Sequence, residues 1–246
     1  VRTGCSKEAL KIDITSHTDT SIVALRLLES LRPLFAANPH PMLNTTTSRA
    51  LSRPAGGQAA QADYVDHDGQ RFKSPEAWGC YNVLYWAASQ FAPAELEKRI
   101  GMILPPTLTL MDDWEPHWRG RGVRVLSSWI DKMSPETMRR MGIDKLLRDS
   151  LAHTMSLHPS PPLTGVLPLA IKLIDLTTTG KARAESLADL MEKGIVHGWT
   201  YAPSGKEGRA ILIGIARDLE TMCGVLEEGI VRWLKVSHSR RKRCPS

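Results

Sequence analysis

The chain has 246 residues, 42% of them hydrophobic, enough to bury a sizeable core in one elongated domain or two compact ones. Its formal charge is +6, but Arg240, Arg241, Lys242 and Arg243 carry four of those charges and only +2 remains without them, which argues against a DNA-binding surface spread over the fold. Mean hydropathy is below zero, no run approaches the ~18 apolar residues of a membrane helix, and residues 1–10 lack the continuous apolar centre of a secretory signal.

The chain starts at Val1 rather than Met, as a fragment would. Cys5, Cys80, Cys223 and Cys244 are far apart and form no CxxC pair, so reduced thiols in a cytosolic or nuclear protein are expected. The basic tail reads as a solvated chain end, and its sharper reading is a nuclear-import signal.

Apolar positions recur at intervals of three and four rather than alternating, which predicts helices throughout. The first spans about 19–37, with Ile22, Leu25, Leu28, Leu31 and Phe35 as its stripe, and Pro39 and Pro41 end it. Residues 38–73 are rich in Thr, Ser, Ala, Gly and Gln and read as a flexible linker or loop that buries little surface. Ser74-Pro75-Glu76 then resembles an N-cap with Pro at the first helical position, predicting a helix to about 91 with Trp78, Tyr81, Leu84, Tyr85 and Ala88 on its buried face. Pro93 restarts a helix bearing Leu96, Ile100 and Ile103, and Pro105-Pro106 removes two backbone donors and is expected to bend or restart it. Ser134-Pro135-Glu136 repeats the earlier start. Further helices are predicted near 143–157, 163–176, 181–197, 206–220 and 222–236, joined by short Gly- or Pro-bearing turns.

The most specific segment is ILPPTLTLMDDWEPHWRGRGVRVLSSWI, residues 103–130. It resembles a HEAT repeat: an apolar first helix opening near Leu-Pro, an Asp in the turn, then Val-Arg, a small residue and a Leu in the second helix. Leu104, Pro105 and Pro106 stand at the opening and Asp112-Asp113 at the turn. Trp118-Arg119 takes the Val-Arg place, Gly122 the small position and Leu126 the Leu. Asp113 is suited to accept from backbone donors opening the second helix, Pro116 sits where a missing donor costs nothing, and Gly122 lets the helices approach. A second copy follows at an offset of about 63 residues: VLPLAIKLID at 166–175, with Pro168 and Asp175, overlays 103–112, and Ala182-Arg183, Ser186 and Leu190 complete it. That offset exceeds a usual unit, so the register between 132 and 162 stays open.

These motifs imply an all-α, irregular HEAT-repeat α-solenoid of stacked antiparallel helix pairs. Its parts are an N-terminal helical segment at 1–37, the linker or loop at 38–73, the repeat domain at 74–236 and the basic tail at 237–246.

From about Phe72 to Lys235 the sequence resembles the Tel-two-interacting protein two family, the smallest subunit of the TTT complex. The resemblance rests on FKSPEAWGCYNVLYWAA, ILPPTLTLMDDWEPHWRGRGVRVL and HPSPPLTGVLPLAIKLIDL in that order. It implies a co-chaperone scaffold with no catalytic residue, no cofactor and no metal. The implied partners are the large HEAT-repeat subunit and the Tel-two-type subunit of TTT, and indirectly the HSP-ninety chaperone and its AAA-type assembly. The implied clients are the phosphatidylinositol-3-kinase-related kinases, TOR and the checkpoint kinases among them, in the cytoplasm and nucleus.

Rival chemistries find little support. Tyr64, Asp66, Asp68 and Gly69 imitate the start of a calcium loop, but Tyr takes the first ligand position and Pro75 that of the closing Glu. Residues 198–206 place six residues between their glycines and end on Lys206-Glu207, which is not a phosphate loop. No HExxH occurs, and Ser127, Ser128 and Ser204 lack a nucleophile elbow. Two binding alternatives stay open: a HEAT-repeat adaptor of another lineage, for transport or phosphatase scaffolding, and a nucleic-acid-binding helical repeat. Of the seven Trp, Trp78, Trp86, Trp129 and Trp233 fall on apolar stripes. Trp114 and Trp118 flank a turn beside Arg119, Arg121 and Arg124, and Trp114, Trp118, Arg121 and Arg124 form the candidate protein interface.

Overall fold

A computed structural model describes residues 17–35, 40–56, 70–157, 163 and 165–233. Among these residues the protein is all-α, and the only strand-like feature is an isolated antiparallel bridge between Leu43 and Ala50. The helices are α1 (His17–Phe35), α2 (Cys80–Gln90), α3 (Pro93–Met111), α4 (Pro116–Trp129), α5 (Pro135–Met141), α6 (Ile143–Ser156), α7 (Val166–Thr177), α8 (Gly180–Leu190), α9 (His197–Tyr201) and α10 (Gly205–Leu226). A π-helical stretch, Met191–Val196, joins α8 to α9, and a 3-10 segment, Glu227–Trp233, follows α10.

Packing follows the apolar stripes. Helix α1 lies against α2 and α3, α3 against α4, α2 against α4, and α6 against α3, α7 and the π-helical stretch. Leu84, Leu96, Leu104, Leu108, Leu126, Leu147 and Leu173 are fully buried where these faces meet. Helix α3 runs unbroken through Pro105-Pro106, against the expected bend or restart. Two lost donors are outweighed by burial, because Pro106 and the whole run Thr107 to Met111 are inside. The two rings also line a cavity of about 470 Å³ walled by α1 and the loop after it.

The two Ser-Pro-Glu starts differ. Ser134 caps α5: its Oγ accepts from Thr137 N at 3.1 Å, and Glu97 on α3 ties down the cap by accepting from Ser134 N and Thr137 Oγ1. The backbone donor at Ser134 holds the Glu97 carboxyl below its usual range. At Ser74 no side-chain cap forms; Pro75–Ala77 is a single 3-10 turn, Gly79 turns left-handed with φ of 84°, and α2 begins only at Cys80. Trp78 is therefore not on the buried stripe: it stands outside the helix and is 83% exposed. Tyr85 is also exposed, whereas Trp129 and Trp233 are buried and Trp86 partly so.

The stretch read as burying little surface behaves otherwise over residues 40–56. Leu43 is in the core, Leu51 N donates to Met42 O, and Ala50 N donates to Met141 O, fastening this loop to α5. Residues 57–69 of that stretch, the calcium-like motif among them, lie outside the described residues. So do Cys5, Cys244 and the basic tail; Cys80 is a buried free thiol and Cys223 an exposed one. The two helices expected at 206–220 and 222–236 are one helix to Leu226, because Met222 is fully buried and no Pro interrupts the pattern.

Candidate functional site

The turn between α3 and α4 is built around Asp113. Its Oδ1 accepts from Glu115 N at 2.8 Å, one residue ahead of the helix, and Pro116 then takes the first helical position. Lys73 reaches in from the 3-10 turn before α2 and meets Asp113 Oδ2 at 2.8 Å and Glu115 Oε1 at 2.8 Å. Arg119, itself buried, donates through Nη1 to the carbonyls of Asp113 and Trp114 at 3.1 and 2.9 Å. Burial pushes its guanidinium below its ordinary value and the Asp113 charge partly restores it. Lys73, Asp113, Glu115 and Arg119 thus lock one turn, Arg119 through main-chain carbonyls.

Asp112 faces the other way. Its Oδ2 accepts from His40 Nε2 at 2.8 Å and its Oδ1 from Ser150 Oγ at 3.1 Å. Met42 N donates to His40 Nδ1, so the proton sits on Nε2 and points at Asp112. The three side chains pin the loop after α1 to the α3–α4 turn and to α6. Both His40 and Ser150 bond the carboxylate and neither bonds the other, so this is a clamp rather than a relay to a nucleophile.

The other signature residues sit as follows. Leu104 and Leu126 are fully buried, and Pro105 is half-buried. A Cβ on Gly122 would come within 2.6 Å of Met111 N, so α3 and α4 touch through bare backbone there. In the second copy Pro168 is exposed near the start of α7, and Arg183 Nε meets Asp175 Oδ1 at 2.6 Å on the surface. Arg148 reaches Ser186 Oγ at 2.9 Å, and Leu190 is buried.

The four candidate interface residues come together in one ribbon that also includes Phe72, Lys73, Tyr81 and Tyr85. Trp114, 62% exposed, lies 5.5 Å from Lys73 Nζ. Phe72 meets Trp118 edge to face at 5.1 Å. Arg121 covers Trp118 at 4.3 Å and Tyr81 at 5.3 Å, and Arg124 lies 6.0 Å from Tyr81 and 5.8 Å from Tyr85. Lys73 was hidden in a stretch without periodicity. Tyr81 keeps the buried place expected of it and Tyr85 does not; their four-residue spacing puts both on one helical edge, and a Tyr tip favours a wet boundary. Among the described residues no group of three or more His, Cys, Asp or Glu could hold a metal ion, and no helix is long and apolar enough to cross a membrane.

The class defined by this geometry is an all-helical protein presenting a surface of aromatic rings overlaid by guanidinium groups. The profile of the Tti2 family matches residues 4–239, nearly the whole chain, and the protein belongs to that family. The match also takes in residues 4–71, ahead of the motifs that carry the resemblance. Neither a curated protein nor a solved structure matches the chain.

Proposed function

We propose that this chain is the non-catalytic scaffold subunit of the TTT co-chaperone complex. In this reading it holds the large HEAT-repeat subunit and, with the Tel-two-type subunit, serves the HSP-ninety chaperone and its AAA-type assembly. The clients are phosphatidylinositol-3-kinase-related kinases such as TOR and the checkpoint kinases, in cytoplasm and nucleus. Membership of the Tti2 family is the observation that carries the proposal. The successive packing of α1 with α2, α3 with α4 and α6 with α7, each pair leaning on the one before, supports an irregular HEAT-type solenoid with long outer faces. The ribbon from Trp114 to Tyr85 supports protein capture, since Trp, Tyr and Arg are the residues enriched at interface hot spots.

Affinity purification from cells provides the test. The tagged chain is expected to bring down the large TTT subunit together with at least one such kinase, and recovery of intact protein without either overturns the proposal.

A further inference from the structure

The outward strip between α2 and α4 carries positive charge with no counter-charge. The two helices together contain no Asp or Glu, while α4 carries three Arg. Arg119 is used up on carbonyls inside. Arg121 and Arg124, one helical turn apart, form no ion pair among the described residues, unlike Arg99 with Glu95, Arg148 with Asp144 or Arg183 with Asp175. Their guanidinium groups rest on Trp118, Tyr81 and Tyr85 instead. A guanidinium laid over a ring keeps its in-plane N–H donors, and the ring limits its rotamers before any partner arrives.

We infer that this strip docks an acidic segment of a partner protein, two carboxylates about one helical turn apart meeting Arg121 and Arg124 and an apolar neighbour lying on Trp114. The inference rests on the scaffold reading and names the chemistry of the partner. A nucleic-acid strand fits less well. Base stacking needs open ring faces, but Tyr81 is buried and Trp118 lies under Arg121.

The test is fluorescence anisotropy of the full chain with a labelled Ala/Leu helical peptide of about 16 residues bearing Glu at i and i+4. Saturable binding is expected, weakened by added salt and about tenfold by Arg121→Gln with Arg124→Gln, and unchanged by Arg209→Gln with Arg217→Gln on α10. Exchanging the peptide's Glu for Gln should cost a similar factor on the unmodified protein, a readout independent of how any variant folds. No saturable binding, equal loss from both variant pairs, or tighter binding of an oligothymidylate overturns the inference, as does a dimer in sedimentation that the Arg121/Arg124 pair abolishes. If cells show TTT capture but the peptide does not bind, this inference falls and the scaffold reading stands. Peptide binding without TTT capture sinks the scaffold reading and leaves the surface assignment in place.

Discussion

Lys73 Nζ lies 2.9 Å from Asp113 Oδ1 and 2.8 Å from Asp113 Oδ2, across 40 residues of sequence, and Asp113 is fully buried. The pair joins the segment before α2 to the α3–α4 turn, so the placement of the aromatic ribbon depends on it. Lys73→Met strands a buried carboxylate and should cost about 2–4 kcal/mol, whereas Asp113→Asn in the same background should recover part of that loss. Urea denaturation of the two single variants and the double variant measures the coupling; strictly additive effects would deny the link.

Gly122 and Gly224 are both helical glycines with opposite prospects. A methyl group at Gly122 meets Met111 N at 2.6 Å and Leu110 C at 2.9 Å, main-chain atoms that cannot step aside, while at Gly224 nothing lies within 4 Å. Gly122→Ala is expected to lose about 1–3 kcal/mol through overpacking, and Gly224→Ala to gain about 0.5–1 kcal/mol through helix propensity. Thermal melts of the two variants check the opposite signs.

Burial pushes the Asp218 carboxyl on α10 from its ordinary 3.8 up to about 6. The folded chain keeps a proton there that the unfolded chain has released between about pH 4 and 6, so this residue makes stability fall as pH rises through that window, with the full penalty present above it. Asp218→Asn should raise the melting temperature at pH 7.5 by roughly 2–4 °C, about 1 kcal/mol once water screening of a partly exposed group is allowed for. The gain should vanish near pH 4. A gain of the same size at both pH values would point to packing instead.

His40 and Asp112 hold the loop at 40–56 to the body at 2.8 Å. His40→Ala leaves Asp112 with one fewer donor in a half-buried place and should cost about 1–3 kcal/mol. Cleavage at the exposed threonines Thr45 to Thr47 by a broad-specificity protease should quicken at the same time. Unchanged proteolysis would mean that Leu43 in the core and the Ala50–Met141 backbone bond retain the loop without His40.

Much of this molecule was written in local pattern. Three- and four-residue spacing gave the helices, Asp113, Pro116 and Gly122 announced the α3–α4 turn, and the apolar stripes named buried leucines such as Leu28, Leu31, Leu84 and Leu96, because each of these depends on neighbours within a turn or two. The aromatic and basic character of Trp114, Trp118, Arg121 and Arg124 was equally local. What tertiary structure decided was every partnership between distant elements: Lys73 with Asp113, His40 with Asp112, and the laying of Arg121 and Arg124 over the tyrosines of a different helix. Trp78 was misplaced for the same reason. A Ser-Pro-Glu start reads identically whether it opens an α-helix, as at Ser134, or a single 3-10 turn before a left-handed glycine, as at Ser74. Only what packs against the segment, and which of its side chains find a partner there, chooses between the two.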